Sequence, residues 1–209
     1  MSSHDQKPAC VLVHSLPVRL MHWFNVVAFG LMLASGWRIY NASPLFAFRF
    51  PADLTLGGWL GGALQWHFAA MWLLAANGLF YLAYGLVSGH FRRKLWPIRP
   101  AAVLADMLAA MRGKLAHDDL AVYNAAQRAA YVALVAGLAL LALSGLAIWK
   151  PFQFHLLAQL FGGYEGARLV HFVAMALTLG IVIVHVAMVV LVPRTLLAML
   201  SGRVKEMQA

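Results

Sequence analysis

Four long apolar stretches constrain this chain more than any other feature. They cover about residues 16–37, 62–88, 129–149 and 167–192, and every Asp and Glu lies outside them. A helix needs about 20 mostly apolar residues to cross the hydrocarbon core of a bilayer. The sequence therefore predicts an all-α fold, an integral membrane four-helix bundle that forms one domain over residues 1–209.

The composition agrees with a membrane protein. Of the residues, 63% are hydrophobic and 11% are charged, whereas a soluble domain is about half apolar and about a quarter charged. A net charge of +9 on so apolar a chain indicates basic loops beside anionic lipid, and no nucleic-acid partner is expected. The single cysteine, Cys10, excludes a disulfide framework and the C-x-x-C-H motif of covalently attached haem.

Basic residues predict the orientation. The termini and the loop of residues 89–128 hold 12 Lys and Arg residues, and the other side of the membrane holds 4. Basic loops stay in the cytoplasm, so both termini are expected to be cytoplasmic. Residues from about 100 to 116 place apolar side chains at helical spacing beside Arg112 and Lys114, which indicates an amphipathic helix on the cytoplasmic surface. A solvated loop helix is the alternative.

Four histidines lie in the apolar stretches, namely His22, His67, His171 and His185. Helix residues 14 positions apart lie on nearly the same face and roughly 21 Å apart along the axis. Counted from the predicted helix ends, His67 has the depth of His171, and His22 has the depth of His185. The pattern predicts two bis-histidine sites at two depths, because ionisable residues inside a membrane are functional candidates. Hydrogen-bonded helix packing is the alternative.

Haem fits two imidazoles better than a bare metal does. Zinc takes four protein ligands, and no carboxylate or thiolate lies near either pair. A haem needs only two axial nitrogens. The sequence therefore predicts two haem b groups, each non-covalent and bis-histidine ligated, which transfer electrons because the iron keeps no open position. His14, which precedes the first predicted span, is the alternative to His22.

The motifs "PVRLMHW", "QWHF" and "RLVHF…VIVH" resemble the bacterial di-haem cytochrome b561 superfamily. This superfamily includes the b-type cytochrome subunits of nickel–iron hydrogenases and the gamma subunits of formate dehydrogenases. The resemblance covers about residues 14–195. It implies that His22 pairs with His185 on the cytoplasmic side and His67 with His171 on the periplasmic side. It also implies a multi-pass protein of the bacterial inner membrane that relays electrons between a periplasmic redox partner and quinone.

A candidate quinone site lies at the start of the third span. The segment "KLAHDDLAVYNAAQRAAY" resembles the superfamily's Tyr-Asn-x-x-Gln-Lys segment, whose Asn is linked to the quinone pocket and corresponds to Asn124. Asn25, one turn after His22, can face the same haem edge or the quinone. Hydrogen-bonding groups for quinone carbonyls are offered by Tyr123, Asn124 and Gln127. An N-cap on the third span is the alternative for these three residues.

Arg19 is a candidate partner of a haem propionate, through charge-assisted hydrogen bonds. Anchoring at the membrane surface by snorkelling is the alternative. The periplasmic partner is predicted to be an oxidoreductase, for example a molybdopterin enzyme of the sulfite-oxidase type, or a cytochrome subunit. Three other functions stay open. The chain could be a free-standing superoxide or quinone oxidoreductase, or a haem-free membrane protein whose histidines serve packing or metal or proton transfer. It could also be a structural anchor that only tethers an enzyme.

Overall fold

The computed structural model describes residues 10–88 and 125–205, together with Ala102 and Ala105. These parts of the chain are all-α except for two short strands. The helices are α1 (Leu16–Ala42), α2 (Leu60–Val87), α3 (Ala125–Trp149), α4 (His155–Leu160), α5 (Gly163–Leu191) and α6 (Pro193–Ser201), with a 3-10 turn at Ala52–Leu54. The strands, β1 (Cys10–Leu12) and β2 (Arg203–Lys205), pair antiparallel.

Four of these helices, α1, α2, α3 and α5, are long and apolar enough to cross a membrane. The four predicted spans are therefore confirmed. The structure extends α1 to Ala42, where Ser43 and Pro44 follow. Proline disfavours helical backbone in the residue before it, which explains why α1 ends before Ser43. Apart from Ala102 and Ala105, the predicted amphipathic helix at about 100–116 lies outside the described residues, as do Tyr123 and Asn124.

The chain forms two compact units, and the first contains the antiparallel hairpin of α1 and α2, with α6 and the two strands. The helices bury small or narrow side chains seven positions apart. Buried residues of the two helices include Met21, Ala28, Ser35, Ala63, Ala70 and Asn77. Two side-chain contacts fix the register, because Asn77 hydrogen-bonds Met21 and His67 hydrogen-bonds Ser35. We call the end at the connection between the two helices the loop end, and the opposite end the open end.

The loop end of this hairpin is covered by its own connection. Asn41 donates its Nδ2 to the Phe50 carbonyl at 2.8 Å and accepts the Phe50 N–H at 2.9 Å. The ring of Phe50 stacks on Trp37, with 4.6 Å between ring centroids. A single asparagine at the end of α1 thus satisfies both backbone groups of Phe50 and places the connection against the helix.

The open end of the first unit is closed by α6. Arg19 donates its Nε to the Met199 carbonyl at 3.2 Å, and its Nη2 donates to the Leu200 carbonyl. The last carbonyls of a helix have no partner within the helix, and the negative end of the helix dipole favours a cation there. Gly202, with φ of +80°, ends α6 in the left-handed conformation that favours glycine.

The second unit contains the hairpin of α3 and α5, with α4 in the connection and α5 included as far as Ala187. Ser144 contacts His171, and a Cβ on Gly137 would lie 2.6 Å from Thr178 Oγ1. The two helices therefore run antiparallel, and glycine permits their close approach at position 137. This hairpin also has a loop end, beside α4, and an open end.

Candidate functional site

The loop end of each hairpin holds one histidine against a serine of the other helix. In the first unit, Nδ1 of His67 lies 3.1 Å from Oγ of Ser35. In the second unit, Nδ1 of His171 lies 3.0 Å from Oγ of Ser144. In each case the serine is on the first long helix of the hairpin and the histidine is on the second. The same arrangement thus occurs twice, in two hairpins that are separate in the chain.

The neighbouring carbonyls decide the direction of both hydrogen bonds. Ser35 Oγ lies 2.6 Å from the Leu31 carbonyl oxygen, and Ser144 Oγ lies 2.7 Å from that of Leu140. A carbonyl only accepts, and a hydroxyl has one hydrogen to donate. Each serine therefore donates to its carbonyl and accepts the Nδ1–H of the histidine.

This direction assigns the tautomer of both histidines. A neutral imidazole carries one hydrogen, and here it is on Nδ1, so Nε2 keeps its lone pair. Both serines are fully buried, whereas His67 and His171 are half-buried. A neutral imidazole with an available Nε2 is a form in which histidine binds a metal.

A glycine follows each of these serines and lies against the same ring. A Cβ on Gly36 would lie 3.4 Å from Cε1 of His67, and a Cβ on Gly145 would lie 3.4 Å from Cε1 of His171. A single methyl group would touch the ring, and a larger side chain would displace it. The Ser–Gly pair therefore supplies an acceptor for Nδ1 and room for the imidazole beside it.

The open end of the first unit holds His22 beside two asparagines. Asn77 is buried and donates from Nδ2 to the Met21 carbonyl at 2.8 Å and to Oδ1 of Asn25 at 2.7 Å. Because the Met21 carbonyl only accepts, the amide of Asn77 has one possible orientation. Asn25 must then turn its Oδ1 to Asn77, which leaves its own NH2 group to donate elsewhere.

The open end of the second unit holds His185, which is exposed. The pairs Ser144 with His171 and Gly137 with Thr178 set a register that places His185 opposite Ala130 on α3. The next residue is Tyr131, which is half-buried and which the sequence analysis did not name as a candidate site residue. Gln127 lies in the first turn of α3.

The roles predicted for Tyr123, Asn124 and Gln127 stay predictions, since they lie outside the described side chains. The predicted propionate contact of Arg19 also stays a prediction. In this structure its guanidinium bonds the carbonyls at the end of α6. Arg168 pairs with Glu165 at 2.8 Å.

The model of one protein family, described as prokaryotic cytochrome b561, matches residues 13–202. The chain belongs to this family. The match includes the four spans and all four candidate histidines. This b561 cytochrome is thus a multi-pass protein of the bacterial inner membrane that carries haem b and transfers electrons. The expected superfamily is confirmed.

A relative from Azospira oryzae is 55% identical to this cytochrome over 190 residues. The alignment covers 91% of this chain and 96% of the relative. That protein is named a putative protein-methionine-sulfoxide reductase subunit, YedZ1.

The donors at the loop ends fit a b-type haem. Haem iron can take histidine imidazole as a ligand. His67 and His171 each direct Nδ1 to a serine, so Nε2 is the nitrogen that would hold the iron. The side chains next to the two histidines along their helices, such as Phe68 and Phe172, are mostly apolar and suit the porphyrin. When bound, the haem supplies a one-electron redox centre at this position.

The glycines beside the histidines give a first prediction. Replacing Gly36 or Gly145 by Val places a branched side chain where a single Cβ already touches the ring, so the imidazole must leave its serine. We expect each variant to bind less haem per chain, measured by the pyridine haemochrome spectrum of the purified protein.

Gly180→Val is the matched control. Gly180 lies on α5, nine residues after His171 and so about 180° around the helix from it, and a Cβ there meets no atom within 4 Å. The control should keep the wild-type haem content. Equal haem content in Gly36→Val, Gly145→Val and Gly180→Val would contradict the role assigned to the two glycines.

Proposed function

We propose that this cytochrome holds two haem b groups, one at each depth, and relays electrons between membrane quinone and a periplasmic oxidoreductase. The observation that carries this proposal is the repeated arrangement at the loop ends. Two separate hairpins each present one histidine in the same tautomer, with Nδ1 bonded to a serine, so that Nε2 is the nitrogen that would bind iron. An axial pair of equivalent imidazoles is what a bis-histidine haem requires.

Chain topology supports the pairing of His67 with His171. Four consecutive spans cross the membrane in alternating directions, so the connection from α1 to α2 and the connection from α3 to α5 lie on the same side. Each of the two histidines is at the loop end of its own hairpin. They therefore ligate the haem on that side, and His22 and His185 ligate the haem on the other side.

Each hairpin, taken alone, gives nearly the same separation along the helix axis between the two proposed haem levels. In α5, His171 and His185 are 14 residues apart, which is about 21 Å along a helix. In α1, His22 and Ser35, the partner of His67, are 13 residues apart, or about 20 Å. The agreement comes from contacts within each unit taken alone.

The distribution of Lys and Arg indicates which of the two proposed haems lies on the cytoplasmic side. Basic residues are concentrated on the side of the termini, which is the open end of the first hairpin. The haem of His22 and His185 is thus on the cytoplasmic side, with the quinone site beside it. Asn25, turned by Asn77, offers an NH2 group to a quinone carbonyl. Amide and phenol groups for the same quinone come from Tyr123, Asn124 and Gln127.

The partner is proposed from the name of the relative, a putative protein-methionine-sulfoxide reductase subunit. We propose that this cytochrome likewise serves a periplasmic oxidoreductase, such as a molybdopterin enzyme. A reductase consumes electrons, so quinol is the electron donor when the partner is a reductase. The periplasmic haem, bound by His67 and His171, is then the one that faces the partner.

Histidine variants test the pairing. We expect the wild-type protein to contain two haems per chain. His67→Ala and His171→Ala should each remove the same haem, seen as loss of the same step in a potentiometric titration, because one iron loses an axial ligand in both. His22→Ala and His185→Ala should each remove the other step.

His155→Ala is the control for these variants. His155 is exposed in the connection between α3 and α5 and is not a proposed ligand, so both steps should remain. A wild-type protein without a Soret band would refute the haem proposal. Loss of different steps in His67→Ala and His171→Ala would refute the pairing.

Asparagine variants test the quinone site. Asn25→Leu removes a hydrogen bond to quinone, and Asn77→Leu removes the side chain that orients Asn25. Each should slow haem reduction by a quinol by about tenfold, the effect of one hydrogen bond of about 1.4 kcal/mol. Stopped-flow absorbance measures the rate, and the dithionite-reduced spectrum checks that haem content is unchanged.

The double variant makes this test sharper. If Asn77 acts through Asn25, the double variant should be no slower than Asn25→Leu alone, because the second change removes nothing further. Independent effects that multiply would show that Asn77 does not act by orienting Asn25. Wild-type rates in both single variants would place the quinone elsewhere.

A further inference from the structure

We propose that Ser35 and Ser144 are positioning residues that lower the reduction potential of the haem bound by His67 and His171. This inference rests on the proposed function, in which these two histidines share one iron. The contacts that carry it are the 3.1 Å and 3.0 Å hydrogen bonds from Nδ1 to the two hydroxyls. Both ligands of a single haem then have the same partner behind them.

Each serine forms the middle of a chain of two hydrogen bonds. The histidine N–H donates to Oγ, and the serine O–H donates in turn to the carbonyl of Leu31 or Leu140. Hydrogen bonds in such a chain polarise one another. The hydroxyl is therefore a better acceptor for the imidazole than an isolated serine would be.

An acceptor behind a ligating histidine increases the electron density on its Nε2. A more electron-rich nitrogen stabilises ferric iron relative to ferrous iron, so the reduction potential falls. Both serines have no accessible surface, so water does not compete for the bond and the full effect reaches the ring. The haem with two such ligands is thus held at a lower potential than the same haem without the hydroxyls.

A purely structural role for the serines makes a different prediction. Serine often donates to the carbonyl four residues earlier in a membrane helix, and small residues favour helix packing. Alanine satisfies packing equally well and has the highest helix propensity. If packing were the only role, alanine would leave the redox properties unchanged. If the hydroxyl acts on the ligand, alanine changes them without loss of fold.

The test uses the full-length protein purified with its haems. Ser35→Ala and Ser144→Ala should each shift the reduction equilibrium of the periplasmic haem toward the ferrous form by about tenfold, the lower end of the effect that losing such a partner has on metal affinity or activity. For a one-electron couple this is a rise of about 59 mV. The largest g value of its low-spin ferric EPR signal should change too, because the ring is no longer held. The other haem should keep its potential.

Two further variants separate the hydroxyl from packing. Ser144→Thr keeps a hydroxyl that can donate to the carbonyl of the preceding turn, and it should return the potential toward the wild-type value. Thr178→Val removes another buried hydroxyl from α5, seven residues from His171, and Thr178 Oγ1 has no hydrogen-bond partner among the described residues. This control should leave both potentials unchanged.

The outcomes distinguish this inference from the proposed function. If His67→Ala and His171→Ala each remove the same haem but both alanine variants keep the wild-type potential and EPR signal, the serine inference alone is overturned. A shift in Thr178→Val as large as that in Ser144→Ala would also overturn it. If His67→Ala and His171→Ala leave both haems in place, the proposed ligand assignment itself fails.

Discussion

The site depends on a single hydrogen in each serine hydroxyl. The carbonyls of Leu31 and Leu140 take that hydrogen, so Ser35 and Ser144 can only accept from the histidines that face them. Nδ1 is thereby occupied and Nε2 is left for a metal. The two serines have no accessible surface, so water does not compete with the imidazoles for their hydroxyls. The proposed roles of His67 and His171 as iron ligands rest on that constraint.

Much of the fold was predictable from the sequence, because a bilayer demands long apolar helices and the chain has four. The candidate ligands were predictable for the same reason, since a histidine inside such a helix needs a specific role. The serines and Asn77 were not, because their function arises from contacts between helices that no local pattern encodes. One signal was available. The dipeptide Ser–Gly occurs four times in the sequence, and the pairs at 35–36 and 144–145 lie near the loop end of the span that precedes each histidine.

The two hairpins are similar at the loop end and differ at the open end. His22 precedes Ser35 by 13 residues, and Tyr131 precedes Ser144 by the same number. In the first hairpin, His22 therefore lies on the first helix, α1, and His67 on the second. In the second hairpin, His171 and His185 both lie on the second helix, α5. This difference gives the two depths different surroundings. In the proposed arrangement, the periplasmic haem would have two serine-bonded ligands, whereas the cytoplasmic haem would lie near Asn25, whose NH2 group would be the donor to quinone.

A density map of the purified, haem-loaded protein at a resolution that shows side chains tests this account most directly. The account predicts two porphyrins, with the iron of one bound by Nε2 of His67 and Nε2 of His171. Oγ of Ser35 and of Ser144 should remain within hydrogen-bond distance of Nδ1. Iron bound through Nδ1 of either histidine, or a different histidine on that iron, would contradict the central claim.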